Sequence, residues 1–317
     1  MFNFKKKAAL FGALMVSASA ALAAYPEKPI TLIVGYSAGG GTDVMARNVA
    51  PYVEKYLGNG ASIVVKNMPG ASGQIGITEV AHSEPDGYTL GTYNLPGMMA
   101  RTLDREAKYS ADSLTFLANV VSDPNVIVTA KKTGISSLQE LIDAATKAPR
   151  SITVGMSSLG GDDHLGLTKF QDITNTQFTI IPFNGSSAAR TAILGGHVTA
   201  GVMNVSEVAS FKDELNIIGI AQAERSEFAP DVPTFREQGV DLLNASMRGV
   251  VAPKGLPKDV EQKLLVAFEQ ALKDPELLAK MKATANPVEA SIGEDFKRLN
   301  SAVYELATQV WETTPWK

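Results

Sequence analysis

The fold of this chain is decided by one stretch near its beginning, residues 30–43, which reads Ile30-Thr31-Leu32-Ile33-Val34-Gly35-Tyr36-Ser37-Ala38-Gly39-Gly40-Gly41-Thr42-Asp43. The apolar run at its start, residues 30–34, predicts a strand that is covered on both faces. The three consecutive glycines allow positive φ angles and a close approach of the backbone to a ligand. Thr42 or Asp43 is expected to cap the helix that follows. Because the first amides of a helix have no intrahelical acceptor, the stretch predicts an anion-binding turn.

Three known glycine-rich motifs compete with this interpretation. A P-loop needs Lys followed by Ser or Thr after its last glycine, and here Thr42-Asp43 follows. The G-x-G-x-x-G spacing of dinucleotide sites is absent. Residues 35–39 do match the G-x-S-x-G elbow, which would make Ser37 the nucleophile of a secreted α/β-hydrolase. Too little chain precedes this elbow, and none of the three histidines (His82, His164 and His197) lies in the last third of the chain. The hydrolase therefore stands as the alternative function.

The first 23 residues are predicted to be a cleaved signal peptide. Residues 5–7 are lysines, residues 8–20 form a short apolar region, and Ala21-Leu22-Ala23 supplies the cleavage signal. We therefore expect a soluble, exported protein that is cleaved near Ala23. Removal of this segment, with three lysines and no acid, changes the formal net charge from −4 to −7.

The composition excludes several classes of function. The chain has no cysteine, which rules out disulfides, thiolate metal sites and cysteine nucleophiles. Three dispersed histidines predict no metal site, and we expect no cofactor. The acidic balance argues against nucleic acid and anionic membranes as partners. The length is sufficient for two domains.

The pattern of strand, small-residue turn and helix recurs at residues 62–81, 152–164 and 178–196. Such a rhythm predicts parallel, doubly wound sheets, in which ligands bind beyond the carboxyl ends of the strands. We expect Pro51 to kink or split the first helix, and Ser186 to be the N-cap of the helix after the fourth turn.

Four such turns, two in each half of the α/β region, predict a cleft lined by helix N-termini from both sides. No Arg or Lys occurs in the core of any turn, and Arg47, Lys66 and Arg190 lie only at their margins. The expectation is therefore that backbone N–H groups and hydroxyls hold the anion without a buried cation.

The rest of the chain is predicted to be scaffold. Ser137 should cap a helix that runs to Ala145, and residues 217–220 and 250–252 should form strands. Amphipathic helices are expected at residues 257–272, 275–283 and 294–311. Trp311 and Trp316 are expected to be core and terminal anchors.

At this point the sequence resembles a known family, the extracytoplasmic substrate-binding proteins of tripartite tricarboxylate transporters, also called Bug-type receptors. The resemblance extends over essentially the whole mature chain and depends on the order and spacing of many short motifs. These motifs are Tyr25-Pro-Glu-Lys-Pro-Ile30, Ala38-Gly-Gly with Asp43 and Ala46-Arg47, Asn67-x-Pro69-Gly70-Ala71-x-Gly73-x-Ile75-Gly76, Pro85-Asp-Gly-Tyr-Thr-Leu90, His164-Leu165, Gly185-Ser186, Leu194-Gly195-Gly196, Val232-Pro-Thr234 and Ala252-Pro-x-Gly255-x-Pro257.

The resemblance implies an α/β periplasmic binding protein of two domains, a Venus flytrap. Each domain is a mixed sheet flanked by helices, and crossing strands join the two. Domain 1 would comprise residues 24–123 and 247–317, and domain 2 residues 124–246. The implied function is capture of a small di- or tricarboxylate and its delivery to the large and small membrane subunits of a tripartite transporter. We expect a monomer.

The family's binding positions carry over onto small and polar residues of the four turns and of one strand end. In the first domain these are Ser37, Ala38, Gly39, Gly40, Thr42, Asp43, Ala71, Ser72 and Gly73, and in the second they are Ser157, Ser158, Asp163, His164, Asn184, Gly185, Ser186, Ser187, Met203 and Asn204. Asp43 would cap its helix or accept from a ligand hydroxyl, amine or water, and His164 would orient its turn or contact the ligand. The run Gly161-Asp162-Asp163 is more acidic than a carboxylate site would favour.

Overall fold

A computed structural model describes residues 25–313 and 315 of the chain. The signal-peptide prediction, with its cleavage near Ala23, and the role of Trp316 fall outside the described residues. The described part contains ten strands and ten α-helices. In chain order they are β1 (Ile30–Val34), α1 (Gly41–Leu57), β2 (Ile63–Asn67), α2 (Gln74–His82), β3 (Thr89–Leu95), α3 (Gly97–Asp104), β4 (Leu114–Ala130), α4 (Leu138–Lys147), β5 (Thr153–Met156), α5 (Asp162–Thr174), β6 (Thr179–Pro182), α6 (Ser186–Gly195), β7 (Ala200–Asn204), α7 (Val205–Val208), β8 (Leu215–Ile220), β9 (Ala245–Pro253), α8 (Lys258–Ala271), α9 (Pro275–Ala283), β10 (Val288–Ile292) and α10 (Glu294–Thr313).

The strands form one mixed sheet in the order β2-β1-β3-β9-β4-β7-β5-β6, with β8 and β10 also paired to β4. The predicted parallel pairs are present, because β1 runs parallel to β2 and β3, and β5 runs parallel to β6 and β7. Strand β9 returns antiparallel between β3 and β4.

The 17-residue strand β4 connects the two groups of parallel strands. Its first part, residues 114–124, pairs with β9, and residues 118–121 also pair with β10. Its last part, residues 125–130, pairs with β7 and β8 instead. One strand therefore belongs to both groups, and the change of partners falls between Pro124 and Asn125.

The alternation of side chains along each strand places a hydrophobic core on both faces of each group. In β1, Ile30, Leu32 and Val34 pack with α1, α8 and α9, whereas Ile33 packs with residues of α2, α3 and α10. In β4, Val126 and Val128 lie in a different core from Ile127. This pattern follows from the two-residue period of a strand, and it leaves the strand ends free to form a site.

Three local expectations are wrong. Helix α1 continues through Pro51 to Leu57 without a break, because the helices and strand that pack along it hold its path despite the lost hydrogen bond. Its N-cap is Gly40 rather than Thr42 or Asp43, and the N-cap of α6 is Gly185 rather than Ser186. In both places the preceding glycine has the extended or positive-φ backbone that the turn requires, so the helix starts earlier.

Other expectations are confirmed. Ser137 caps α4 with a reciprocal capping box to Glu140, and the helices predicted after residue 257 are observed. Trp311 packs near Ala100 and Ala307. None of the helices in residues 25–313 is both long and apolar enough to cross a membrane.

Candidate functional site

A cavity that is open to solvent at its mouth lies where the carboxyl ends of β1, β3, β5 and β7 meet. Its wall is formed by small, polar and charged residues from both strand groups. These are Tyr36, Ser37, Gly40, Gly41, Thr42, Asn94, Gly97, Ser157, Ser158, Gly161, Asp162, Gly185, Ser186, Asn204, Glu207, Ser246 and Arg248. The position agrees with the rule for ligand sites in parallel α/β sheets.

Three helices begin at this wall with the same kind of cap. The N-caps of α1, α5 and α6 are Gly40, Gly161 and Gly185, and none of them makes a side-chain capping hydrogen bond. The first amides of each helix therefore have no capping side chain as acceptor. Together with the positive ends of three helix dipoles, they make the cavity suited to a negatively charged group.

The two halves of the wall contact each other directly. The hydroxyl of Ser37 donates a hydrogen bond of 3.0 Å to the carbonyl oxygen of Asn184. Gly40 lies against Ser186, since a Cβ placed on Gly40 would be 3.1 Å from the Ser186 hydroxyl oxygen. The cleft between the two strand groups is therefore closed in this structure.

A buried cation, which the sequence had not predicted, lies on the wall. Arg248 is 1% exposed, and its Nη1 donates to Asp123 at 2.7 Å and to Ser206 at 3.1 Å. Its Nη2 donates to Asn204 at 2.7 Å and to Glu207 at 3.2 Å. The sequence analysis missed this cation, because β9 brings the guanidinium to the start of α1 from far along the chain. The expectation that amides and hydroxyls hold the anion stays a prediction.

The closeness of Arg248 to α1 explains why residue 41 is glycine. A Cβ at Gly41 would lie 2.5 Å from Nη1 of Arg248, which is closer than real Cβ contacts. The guanidinium therefore packs on bare backbone at the start of the helix.

The charges around Arg248 shift one another's pKa. Burial raises the pKa of Asp123 to about 6, while the guanidinium of Arg248 acts in the opposite direction. Burial disfavours the charge of Arg248, but Asp123, Glu207 and Asp162 together outweigh it and raise its pKa. The guanidinium therefore stays charged and is held by carboxylates of the protein.

Two neighbouring aspartates at the start of α5 have different positions. Asp162 lies on the wall, and its Oδ2 accepts from Asn125 at 2.8 Å and from Asn204 at 3.0 Å. Asp163 lies behind the wall, where its Oδ2 accepts from the backbone N–H and the hydroxyl of Ser157. Burial, with the charges of Asp162 and Glu207, raises the pKa of Asp163 well above its usual range.

Eight of the predicted ligand-binding residues lie on the wall, namely Ser37, Gly40, Thr42, Ser157, Ser158, Gly185, Ser186 and Asn204. The other eleven do not line it, namely Ala38, Gly39, Asp43, Ala71, Ser72, Gly73, Asp163, His164, Asn184, Ser187 and Met203. Whether any of the nineteen binds ligand stays a prediction.

The residues away from the wall have identifiable structural contacts. Asp43 accepts from the N–H of Gly39 and from Arg47 and Asn67, and these bonds lower its pKa against the effect of burial. His164 accepts from the N–H of Gly160 through Nδ1 at 3.0 Å.

The turn at residues 71–73 lies behind Tyr36 rather than on the wall. The hydroxyl of Tyr36 donates to the carbonyl oxygen of Ser72 at 3.3 Å. A Cβ at Gly73 would lie 3.1 Å from that ring. Tyr36 thereby occupies the place that the second turn was expected to have.

Nine wall residues are not among the predicted ligand-binding residues, namely Tyr36, Gly41, Asn94, Gly97, Gly161, Asp162, Glu207, Ser246 and Arg248. A signal existed for some of them. Asn94 lies at the end of β3, the parallel neighbour of β1, and the rule about strand ends could have found it. No local signal identifies Arg248, which lies inside a strand.

Residues 45–301 match the profile described as the tripartite tricarboxylate transporter family receptor. The chain is 35% identical over 237 residues to the protein BugT of Bordetella pertussis, which covers 73% of this chain and 72% of BugT. It is 32% identical over 275 residues to a UPF0065 protein of Cupriavidus necator, covering 84% and 81% of the two chains.

Solved structures are similar over nearly the same extent. The periplasmic binding protein BugD matches with a TM-score of 0.85 and 26% identity, covering 91% of this chain and 98% of BugD. Rpa4515 of R. palustris, solved with adipate, matches with a TM-score of 0.85 and 27% identity, covering 91% and 98%. The predicted class of fold, a two-domain periplasmic binding protein, is confirmed by these likenesses.

Proposed function

Because the chain belongs to the tripartite tricarboxylate transporter receptor family, we propose that it captures a small carboxylate in the cavity between its strand groups and delivers it to a membrane transporter. One observation carries the proposal: three helices with glycine N-caps begin at the same cavity. Amides at helix starts bind carboxylates without the cost of burying a separate cation.

The polarity of the cavity wall supports a small polar ligand. Hydroxyl, amide and carboxylate side chains from both strand groups meet at this wall, as in sites that orient a small molecule. The structure of Rpa4515, a protein 27% identical to this chain, was solved with adipate. A carboxylate of a few carbon atoms is the corresponding class for this protein.

The transporter partner and the location belong to the same proposal. Family membership supports a large and a small membrane subunit as partners, a periplasmic location and the predicted signal peptide.

We also propose a monomer with domain boundaries as predicted, 24–123 with 247–317 and 124–246. Strand β4 changes its pairing partners after Pro124, which favours a boundary there.

Thermal unfolding with a panel of carboxylates tests the proposal. The panel contains mono-, di- and tricarboxylates with and without amino groups, and the neutral diamide of adipate is the control. A ligand at a hundred times its Kd stabilises the folded state by about 2.7 kcal/mol, so at least one carboxylate should raise the Tm. If no carboxylate of the panel raises the Tm, or if the diamide raises it equally, the proposal is wrong.

The same preparation tests the hydrolase alternative. Among the described residues, the hydrogen-bond partner of the Ser37 hydroxyl is the carbonyl oxygen of Asn184. A hydrolase would turn over small esters and lose this activity in Ser37→Ala. A receptor should show no turnover that depends on Ser37.

A further inference from the structure

Arg248, the single cation that the described residues contribute to the cavity wall, is already neutralised by the protein. Each Nη of Arg248 carries two hydrogens, and the four are matched by Asp123 and Ser206 on one nitrogen and by Asn204 and Glu207 on the other. The Nη groups of the guanidinium therefore have no hydrogen left for a ligand carboxylate.

The wall also presents a carboxylate with an unused oxygen. Within residues 25–313, the hydrogen bonds of the Asp162 side chain are all accepted by Oδ2. These two bonds come from Asn125 and Asn204 and fix the orientation of the carboxylate.

A second acceptor on the wall lacks a donor. Asn94 is 8% exposed and lines the cavity, and its Oδ1 is buried without a hydrogen-bond partner among the described residues. Its Nδ2 donates to the hydroxyl of Thr42 at 2.8 Å, which orients the amide. A buried acceptor without a partner is costly, so a ligand that supplies a donor there would be favoured.

The backbone segments next to the two acceptors contact each other. Gly97, three residues after Asn94, packs on Gly161, which precedes Asp162, and a Cβ at Gly97 would lie 3.4 Å from Cα of Gly161. The start of α3 and the start of α5 therefore meet at this part of the wall.

The charge balance disfavours a ligand with several carboxylates. The wall carries Asp162, Glu207 and one arginine whose Nη hydrogens are all paired with the protein, and Asp123 and Asp163 lie directly behind it. One ligand carboxylate can be held by the helix amides, but a second one near Asp162 would meet a like charge without a free cation.

We propose that the ligand of this receptor carries a protonated amine in addition to its carboxylate, and that Asp162 binds the ammonium group, with Asn94 as a second acceptor. The inference rests on the proposed function and specifies its ligand as an aminocarboxylate. Asp162 is then the residue that determines specificity, because its carboxylate attracts an ammonium group and repels the second carboxylate of a dicarboxylate.

Calorimetric titration of matched probes tests the inference on the parent chain. The pairs are adipate with 6-aminohexanoate, adipate with L-2-aminoadipate, and succinate with L-aspartate. An ammonium group on a buried carboxylate should improve the Kd by about ten- to a hundredfold in at least one pair. The N-acetyl derivative of the preferred probe, which has no positive charge, should lose that gain.

Substitution of the carboxylate assigns the effect to a residue. Asp162→Asn keeps the size and one carbonyl acceptor, and should reduce the preference for the amine to less than about threefold. The control is Asp172→Asn, which removes the same charge from the exposed far end of the same helix and should leave the preference intact.

Each outcome has one meaning. If probes without an amine bind as tightly as their partners, the inference is wrong and the proposed function stands. If the parent prefers the amine but Asp162→Asn retains that preference, Asp162 is not the determinant. If no probe of either kind binds and no carboxylate of the thermal panel raises the Tm, the proposed function itself is wrong. If no probe binds but a carboxylate without an amine raises the Tm, only the inference is wrong. The comparison within the parent chain remains decisive should Asp162→Asn fail to fold.

Discussion

The hydroxyl of Ser37 donates a 3.0 Å hydrogen bond to the carbonyl oxygen of Asn184, which lies 147 residues further along the chain. This bond joins the turn after β1 to the turn before α6 and so links the two strand groups beside the cavity. Because it is exposed, we expect it to contribute no more than about 1 kcal/mol. A single bond of this size cannot by itself hold the two strand groups together.

The first prediction concerns closure. A receptor of this architecture should exchange between open and closed forms, and a ligand that contacts both halves should favour the closed one. We expect a smaller radius of gyration in solution scattering with a saturating carboxylate than without it. Ser37→Ala without ligand should be at least as open as the parent. Identical scattering curves with and without ligand would contradict a flytrap.

The second prediction concerns the amide of Ser186. Ser186 is the first residue of α6 and lies on the wall, and proline is well tolerated at that position of a helix. Ser186→Pro should therefore fold with near-normal stability while it removes one N–H from the cavity. Loss of a charge-assisted hydrogen bond should weaken ligand binding by about ten- to a hundredfold.

Ser186→Ala is the matched control, because it removes the hydroxyl and keeps the N–H. The mechanism fails if Ser186→Pro melts normally and binds as the parent does. Equal losses in the two variants would assign the contact to the hydroxyl instead. The sequence alone would have placed this test at Ser187, one residue too far along the helix and away from the wall.

The third prediction concerns salt. Arg248 is paired with protein carboxylates in a buried position, and the donors of the closed cavity are mostly neutral, so screening by mobile ions should have little effect. We expect the Kd to change by less than about threefold between about 50 and 500 mM inert salt, or about 0.7 kcal/mol. A steep loss of affinity would point to exposed cations such as Arg47 as ligands.

The fourth prediction concerns pH and stability. Burial lowers the pKa of His164 to about 4, and the charge of Arg101 acts in the same direction. Between the ordinary value of 6.5 and about 4, the unfolded chain binds a proton that the folded chain does not. The free energy of unfolding should therefore fall as the pH drops through this range, by about 1.4 kcal/mol for each pKa unit.

His164→Asn should flatten this fall, because Asn retains an acceptor for the N–H of Gly160 without titrating. Asp123 acts in the opposite sense, since its raised pKa of about 6 makes the folded state bind the proton first. The informative quantity is thus the difference between parent and variant in urea unfolding at neutral and acidic pH. Parallel curves for the two proteins would refute the assignment.

The fifth prediction concerns the buried ion cluster. Arg248→Met would leave Asp123 and Glu207 buried without their cation, at a cost of about 3–5 kcal/mol in the free energy of unfolding. Adding Asp123→Asn should recover part of this loss, which a double-mutant cycle in urea would measure. Additive losses in the two substitutions would mean that the ion pair is not coupled.

Much of the fold could be predicted from local patterns. The strand at residues 30–34, the glycine turn after it and helices such as α9 each carry their signal within a few residues, in periodicity, caps and apolar runs. The errors at Pro51 and at the starts of α1 and α6 arise because local propensity did not decide these positions. Packing kept α1 continuous at Pro51, and the glycine before each helix set the starts of α1 and α6.

The candidate site was predictable only in part. Ser157 and Ser186 were found because each lies at a strand end or a helix start, and such places are visible in sequence. Asp43 and Asp163 have the same local signature, yet they turn away from the cavity to bond Arg47 and Ser157. The direction of a side chain at a helix start depends on which partners lie nearby in space.

The sequence by itself determined the family, the α/β class and the presence of amide-rich turns, because these follow from short-range order along the chain. Only the tertiary structure decided that Arg248 lies on the wall, clamped by Asp123 and Glu207, and that Asp162 faces the cavity while Asp163 does not. The reason is physical: the charge balance of a buried site depends on distances between residues far apart in sequence, and only the packing of β4, β9 and α7 sets those distances.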